Sequence, residues 1–328
     1  MRLVNTLLDY LIWPAILAFG LVGVGIGVHY GHVPLAFNIT YLIIAVSIFF
    51  LERWRPHEDY WLENDGQMTA DLAHTLFTKI FVQVLVVSVT TLGLAHAVGN
   101  KESSGFWPGH WPMFFQVVLA LVLGEFGLYW AHRFAHVWGP LWRFHAIHHS
   151  VKRLWFFNTG RFHFVDTLKS IVFAAPFLAL SGAPESVMQW FGAITAFIGI
   201  LTHCNIQMRF GWLNYIFNTS GLHRWHHSMD LREGNKNYGE NLMLWDQLFG
   251  TYYDDAKRRP PVEIGIKEAM PRTFLAQLAM PFRWHKFQKE AKEGKHLVME
   301  KRPIVKRGRA ASVPQADDGM PSAEGLEA

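Results

Sequence analysis

The chain has 328 residues, of which 51% are hydrophobic and only 17% are charged, and its formal net charge is +4. A charged share well below about 25% indicates an integral membrane protein rather than a soluble one. The single cysteine, Cys204, excludes an intrachain disulfide framework and a cysteine-based zinc or iron–sulfur site, so histidine would have to hold any metal. The sequence contains no dinucleotide-binding glycine fingerprint, phosphate loop or nucleic-acid module, and membrane topology explains its positive charge better than DNA or RNA does.

Four apolar segments in the first part of the chain are each long enough to cross a bilayer as a helix. They comprise residues 7–28, 35–51, 72–98 and 111–131. The first lacks a cationic start and a small-residue cleavage site, so we expect a retained anchor rather than a signal peptide. Its Gly23 and Gly27 share one helical face, which favours close packing against another helix.

The fourth segment leads directly into two histidine motifs. His132 and His136 are spaced i, i+4, and the next motif has i, i+3, i+4 spacing at His145, His148 and His149. Each set therefore projects from one face of a helix. A single histidine on an apolar helix is usually a hydrogen-bonded core residue. Repeated ligand spacing indicates a metal site instead.

A predicted membrane hairpin separates these motifs from a third one. Residues 168–180 and 186–202 are apolar and flank a turn, so we expect the pair to dip into the membrane and return at His203. The i, i+3, i+4 spacing then recurs at His223, His226 and His227. Four more imidazoles thus join the candidate site.

The chain changes character after these motifs. Residues 270–284 mix apolar and aromatic side chains with Arg, which predicts an interfacial amphipathic helix. Residues 286–309 are strongly basic, and they either lie beside anionic lipid head groups or form a solvated cationic tail. Residues 310–328 are predicted to be disordered. The predicted parts are an N-terminal membrane part (1–110), a catalytic part (111–253), a basic, partly amphipathic segment (254–309) and a tail (310–328).

The distribution of Lys and Arg predicts the orientation, because these residues accumulate on the cytoplasmic side of a membrane. If Arg2 is inside, alternation of the spans leaves Lys101 as the only Lys or Arg in an outside loop. All three histidine motifs then lie at cytoplasmic helix ends. We therefore expect a multi-pass protein of a bacterial inner membrane with its site on the cytoplasmic side.

Nine imidazoles exceed the roughly four to six ligands that one metal takes, so two metals are expected. Imidazole suits iron, zinc and copper, and the Glu-x-x-His pattern of soluble di-iron bundles is missing. Two irons that bind O2 between them would provide an oxidant for unactivated C–H bonds, and the position at the membrane surface indicates a lipid substrate. A haem-binding electron-transfer subunit and a non-catalytic metal-binding or transport protein are competing interpretations.

The order of the three motifs, HxxxH, HxxHH and HxxHH, resembles that of the fatty acid hydroxylase and sterol desaturase superfamily of integral-membrane di-iron oxygenases. The resemblance covers residues 111–253 and includes the flanking sequences Tyr129-Trp130, Arg161-Phe162-His163, His203-Cys204-Asn205 and Trp245-Asp246-Gln247-Leu248-Phe249-Gly250-Thr251. It implies an all-α membrane fold with a cytosolic helical cap around two irons. It also implies use of O2 with electrons from a separate donor protein.

The resemblance further implies the metal ligands. They are His132, His136, His145, His148, His149, His203, His223, His226 and His227. Some relatives have a further histidine where this chain has Gln207, which makes His163 a candidate to complete the second metal.

Polar residues near the motifs are candidates to accept the remaining N–H of a ligating imidazole, with helix capping or solvation as the competing interpretation. They are Glu125, Asp166, Asn205, Asp230, Asn241 and Asp246. The expected activity is lipid hydroxylation, favoured over desaturation by its frequency in the family alone. Candidate substrates are a fatty acyl chain, a sterol, a glycerol ether and an aminolipid head group, with a bacterial ornithine lipid or acyl chain preferred.

Overall fold

A computed structural model describes residues 2–91, 106–255 and 257–299. The regular elements in these ranges are all helical, which confirms the predicted all-α fold class. Five of the described helices are long and apolar enough to cross a membrane. They are α1 (Arg2–Tyr30), α2 (Val33–Trp54), α4 (Met113–Val137), α6 (Phe164–Ser181) and α7 (Glu185–Thr202).

A further long helix, α3, runs over Met68–Thr91. It begins before the third predicted segment, whose last residues, 92–98, lie outside the described ranges. Helices α6 and α7 follow one another around the predicted turn, with Gly182 in the left-handed conformation (φ 78°) at the end of α6, and each packs against α4. Glycine adopts this conformation without the strain of a Cβ, so the chain reverses sharply there.

Close backbone approach fixes two helix pairs. A Cβ on Gly23 of α1 would overlap the side chain of Thr40 in α2, and one on Gly27 would overlap Ala36, which confirms the small-residue face of α1. Likewise, a Cβ on Gly127 of α4 would overlap backbone atoms of α6 at Phe173. Helix α7 packs against α1, α2 and α4, so it lies between the two pairs.

Short helices and turns form a cap at one end of the long helices. The cap comprises α5 (Gly139–His149), α8 (Ser220–His226), α9 (Leu231–Gly234), α10 (Leu244–Leu248), α11 (Phe274–Ala279), α12 (Trp284–Lys292) and the turns Phe156–Gly160, Gly211–Tyr215 and Met280–Arg283.

Buried acids of the N-terminal helices hold the cap in place. Glu52 of α2 accepts hydrogen bonds from the backbone N–H groups of Phe156 and Asn205, both at 2.9 Å. Asp71 of α3 forms an ion pair with Arg161 at 2.6 Å and accepts from the indole N–H of Trp155 at 2.9 Å. The N-terminal helices are therefore part of the scaffold that positions the cap.

The predicted amphipathic helix over residues 270–284 is wrong in extent. The structure has α11, a turn that contains Pro281, and then α12. Proline lacks an N–H and clashes with the preceding turn, which favours the interruption at Pro281, although α1 and α6 contain Pro14 and Pro176 within continuous helices. Of the predicted basic segment, residues 300–309 lie outside the described ranges, as does the tail, 310–328.

Candidate metal centre

Nine predicted histidines come together as two adjoining groups, each of which could hold a metal ion. Within each group, the candidate ligand atoms lie within 4.8 Å of one another. The five-histidine group contains His132, His136, His145, His149 and His226. The four-histidine group contains His148, His203, His223 and His227.

The two HxxHH motifs interleave between the groups. On α5, His145 and His149 point into the five-histidine group, whereas His148 points into the other. On α8 the assignment is reversed: His223 and His227 belong to the four-histidine group. In each motif the two histidines four residues apart stay together, whereas the remaining histidine meets ligands from other helices in the neighbouring group.

The remaining ligand candidates come from the ends of two membrane helices. The last turns of α4 carry His132 and His136, and His203 directly follows α7. The groups touch where the rings of His149 and His227 stack, with centroids 4.3 Å apart. The site therefore lies where two long helices meet the cap.

Five histidines use Nδ1 to bond an oxygen that can only accept. The pairs are His132 with the Tyr238 carbonyl (2.8 Å), His136 with Asn235 Oδ1 (3.2 Å), His145 with Asp166 Oδ2 (2.8 Å), His203 with Asn158 Oδ1 (2.8 Å) and His226 with the Lys236 carbonyl (2.7 Å). Because the oxygen accepts, Nδ1 must carry the proton. Nε2 then has a free lone pair, which is the form that binds a metal.

These lone pairs converge, and this arrangement fits a cation. Nε2 of His132 lies 3.1 Å from Nε2 of His145, although both rings carry their proton on Nδ1. Two facing lone pairs repel unless a positive ion lies near them. Within the described residues, buried Nε2 atoms of His136, His149 and His226 also lack a hydrogen-bond partner. An all-imidazole donor set of this kind suits iron, zinc or copper.

Burial keeps the cap histidines neutral. It lowers the pKa of His203 and of His226 to about 3, because an imidazolium would lose its hydration there, and neighbouring histidines add repulsion. The pKa values of His148, His149 and His227 are also lowered well below the ordinary range, again mainly by burial. Neutral imidazole is the ligating form, so these histidines are ready to bind metal near neutral pH.

The predicted supporting residues play different parts. Asp166 bonds His145 directly and also pairs with Lys169 at 2.7 Å. Asp246 supports His132 indirectly. It accepts a hydrogen bond from the backbone N–H of Tyr238, and the carbonyl of Tyr238 bonds His132. Glu125 accepts from both the backbone and the side-chain N–H of Asn241 and so holds the same loop.

Asn205 and Asp230 are engaged elsewhere. The Asn205 side chain exchanges hydrogen bonds with the backbone of Glu58, and Asp230 caps α9 and pairs with Arg232 at 2.6 Å. These contacts shape the cap rather than orient an imidazole.

His163 lies outside both groups. Its Nδ1 accepts from the N–H of Val165 at 3.1 Å, which caps α6, and its Nε2 lies 3.2 Å from the carbonyl of Leu278. Both ring nitrogens are therefore used. The N–H of Gln207 donates to the carbonyl of Arg55 at 2.8 Å, so this position also serves the packing of the cap on the membrane helices.

Sequence reasoning missed two amides that orient histidines. Asn235 follows the third motif closely, in a Gly-Asn-Lys-Asn turn that could have drawn notice. Asn158 has no local signal, because it lies in an aromatic stretch and meets His203 only through the fold.

Two cavities reach the histidines, and they are lined by different members of the groups. The inner cavity has a volume of about 210 Å³ and is lined by both groups and by Thr195, Thr202, Asn218 and Glu240. The outer cavity has a volume of about 290 Å³ and is lined by the five-histidine group and the loop around Asn235. The site is thus open both towards α7 and towards the outer face of the cap.

An apolar groove lies beside the site between the end of α4 and α6. It is lined by Phe134, Val137, Trp138, Leu141, Val165, Leu168, Lys169, Val172 and Phe173, and has a volume of about 730 Å³. Lys169 is the only charged side chain among these lining residues. The groove is therefore suited to a hydrocarbon chain.

Known proteins with similar sequences include lipid hydroxylases. The chain is 49% identical to an ornithine lipid hydroxylase of Rhizobium tropici over 92% of both chains. It is 28% identical to an alkylglycerol monooxygenase of Danio rerio, over 60% of this chain and 44% of that protein. It is 30% identical to a protein described as a probable Delta(7)-sterol 5(6)-desaturase of Neurospora crassa, over 70% of this chain and 63% of that protein. No solved structure matched the chain.

The fatty acid hydroxylase family model matches residues 117–251, a range that contains all nine grouped histidines. Together with the near full-length similarity to the Rhizobium protein, this match shows that the chain belongs to the fatty acid hydroxylase and sterol desaturase superfamily, as its histidine motifs predicted.

Proposed function

We propose that this protein is an O2-dependent hydroxylase of a membrane lipid, with one iron in each histidine group and electrons from a separate donor protein. The observation that carries the proposal is the convergence of nine neutral imidazoles as two adjoining groups at the ends of membrane-length helices. Two bound irons would supply the activation of O2 and the oxidant that a C–H bond requires. The chain itself supplies the ligands and the cavities.

The proposed substrate is an aminolipid such as an ornithine lipid, hydroxylated on its head group. The similarity to the Rhizobium hydroxylase supports this choice. The groove and the inner cavity support it as well, because they offer an apolar surface for the hydrocarbon chain and polar side chains for a head group. Desaturation is the second candidate, favoured by the similarity to the Neurospora protein.

Haem binding and transport have less support than either lipid reaction. A haem held between paired histidines needs space for its macrocycle between the two rings, whereas Nε2 atoms in these groups approach to 3.1 Å. A transport protein has no need of a lipid-sized apolar groove near its metal site. Transport would also continue without O2 or a reductant, whereas hydroxylation would stop.

We propose that residues 111–253 form the catalytic part and that the site faces the cytoplasm of a bacterial cell. The one-sided distribution of Lys and Arg supports this orientation. In the same proposal, the basic segment 254–309 lies along the inner membrane surface.

Metal analysis and lipid mass spectrometry test the proposed function together. Purified protein should contain close to two irons per chain, and cells that express it should accumulate lipid heavier by one oxygen atom. His148→Ala should abolish the oxygenated lipid. Protein without iron, with lipid profiles unchanged by His148→Ala, would rule out the proposal.

A further inference from the structure

The inner cavity contains polar groups that the metal centre does not use. Glu240 lines it together with histidines of both groups, yet it is absent from the candidate ligands. The side chains of Asn218 and Thr195 line the same cavity. Within the described residues, Asn218 Oδ1 and Thr195 Oγ1 are buried and have no hydrogen-bond partner.

The orientation of Asn218 is fixed by its own contacts. Its side-chain N–H donates to the carbonyl of Gly239 at 2.7 Å, so the amide oxygen must be the free end. Its backbone N–H donates to the carbonyl of Asn241 at 2.9 Å. Asn218 is only 1% exposed, so its unpaired oxygen has no bulk water to bond. An unsatisfied buried acceptor destabilises a protein, so this acceptor needs a donor.

Glu240 is held rigidly beside Asn218. Its backbone N–H and that of Asn241 both donate to Glu125 of α4. The nearby ammonium of Lys169 acts on Glu240 electrostatically, but Asp166 already engages it at 2.7 Å. Ser170 also hydrogen-bonds the Glu240 side chain, and burial raises the pKa of Glu240 to about 7, so an ammonium in the cavity would favour its charged form. This acid and two neutral acceptors therefore line one cavity without a dedicated cation.

Three acceptors, one of them anionic, match one chemical group in particular. A primary ammonium carries a positive charge and three N–H donors. Lys169 of the apolar groove is linked through Asp166 to His145, which lines the inner cavity, so the groove lies near the cavity. A lipid in the groove could place a charged head group in the cavity, beside the histidines.

We infer that Glu240, Asn218 and Thr195 bind the ammonium of an amine-bearing lipid head group and so select the substrate. This inference rests on the proposed function and deepens it. Glu240 supplies the charge, while Asn218 and Thr195 accept the other two hydrogen bonds. The carbons next to the ammonium then lie beside the two histidine groups.

The test measures lipid selectivity by equilibrium binding. Iron-loaded protein in detergent is kept free of O2 and is titrated with ornithine lipid or with its N-acetylated form, in which a neutral amide replaces the ammonium. The natural chain should bind the free amine at least about tenfold more tightly than the acetylated lipid, because a charge-assisted hydrogen bond contributes about that factor to the affinity. Glu240→Gln should reduce the preference to less than about threefold and leave the affinity for the acetylated lipid unchanged.

Two further variants sharpen the result. Thr195→Val removes only the hydroxyl from α7 and should reduce the preference by a few-fold, about the effect of one neutral hydrogen bond. Glu185 lies at the exposed start of the same helix and does not line the cavity. Glu185→Gln should therefore leave the preference for the free amine unchanged. Iron content is measured for every variant, so that a folding or metal-loading defect is recognised.

The outcomes are separable. An unchanged preference in Glu240→Gln, no preference in the natural chain, or loss of iron from Glu240→Gln would each overturn the inference, the last by making Glu240 a support of the metal. A natural chain that selects the amine but never oxygenates it would refute the proposed function alone. Oxygenation of ornithine lipid by Glu240→Gln with full selectivity would refute the inference alone.

Discussion

At the scale of the residue, the acceptor of each imidazole N–H decides which ring nitrogen is free for a metal. Asp166 is the strongest such acceptor, because it is a carboxylate bonded to His145 Nδ1 at 2.8 Å. The sequence identified Asp166 as a candidate by its nearness to the second motif. It gave equal weight to Asn205, whose partner is the backbone of Glu58, because distances between distant segments are not visible in a sequence.

Replacing Asp166 should therefore weaken metal binding. In Asp166→Asn the amide can turn its N–H towards His145, which would favour the wrong tautomer, and we expect a loss of about 10- to 100-fold in iron affinity or activity. Iron content after dialysis against a chelator measures the effect. Asp230→Asn, which removes a carboxylate paired with Arg232, is the matched control. Equal iron retention in the two variants would contradict the role of Asp166.

Acid should destabilise the metal-free protein. The pKa of His203 is about 3 in the folded chain, against an ordinary value of 6.5, so the unfolded chain takes up the proton first. The stabilisation is complete above about pH 6.5 and is lost as the pH falls towards about 3, by up to about 1.4 kcal/mol per pH unit for each such histidine.

The pH dependence of the free energy of unfolding is measured by denaturing the metal-free protein at several pH values between pH 7 and about pH 5. His203→Gln should reduce it, because one buried neutral imidazole is removed. The exposed His285→Gln serves as the control. A free energy of unfolding that does not change with pH in this range would show that the histidines are hydrated without metal.

At the scale of the element, helical spacing explains both what was predictable and what was not. The i, i+3, i+4 pattern predicted that each motif faces one site. It could not predict that His148 separates from His145 and His149, because that depends on where α8 and α7 place their own histidines. The sequence also could not show that His163 caps a helix. Its Nδ1 accepts the N–H of Val165 at the start of α6, and this contact depends on where the helix begins.

Because the motifs interleave, neighbouring histidines should have different effects on metal content. His148→Ala leaves three histidines in its group, whereas His149→Ala leaves four in the other. We expect close to one iron per chain in His148→Ala and close to two in His149→Ala, since a metal takes roughly four to six ligands. Elemental analysis of the two proteins is the measurement, with each variant as the control for the other. Equal metal contents would contradict the assignment of these histidines to separate groups.

The contact between α4 and α6 should be sensitive to a single methyl group. In Gly127→Ala the new Cβ meets backbone atoms at Phe173 and Ala174, which cannot rotate away, so we expect a loss of about 1–3 kcal/mol. Gly192→Ala on α7 is the matched control, because its Cβ meets nothing within 4 Å and should instead stabilise the helix by up to about 1 kcal/mol. Thermal unfolding in detergent compares them. Similar transitions would show that α4 and α6 can move apart freely.

At the scale of the whole molecule, the membrane helices and the cap form one structure. The sequence predicted the order of the apolar helices, because length and hydropathy are local properties. Five of the six predicted segments are membrane-length helices, whereas the third corresponds to α3, which is not among the five candidate spans in the described residues. Nothing in the sequence indicated that Glu52 and Asp71 reach into the cap, since a carboxylate near a helix end is usually solvated.

A fragment that begins at residue 106 should therefore fail to hold metal. Without α2 and α3, the N–H groups of Phe156 and Asn205 and the charge of Arg161 lose their buried partners. Leaving such groups unpaired costs about 1–3 kcal/mol each, and more for the charge. Iron content and protease resistance, compared with those of the full chain, are the measurements. A fragment that retains two irons would show that the cap folds without the N-terminal helices.

The two acids also bear on how the protein is made. Helices α2 and α3 leave the ribosome before the segments that contain Arg161 and Asn205, so Glu52 and Asp71 enter the membrane environment first. Until their partners are synthesised, both acids are stabilised by protonation or by water at the membrane surface. The cap then folds onto a template that is already inserted, and its histidines meet only after the last motif has emerged. Translation order thus delays assembly of the metal site until the surrounding helices are in place.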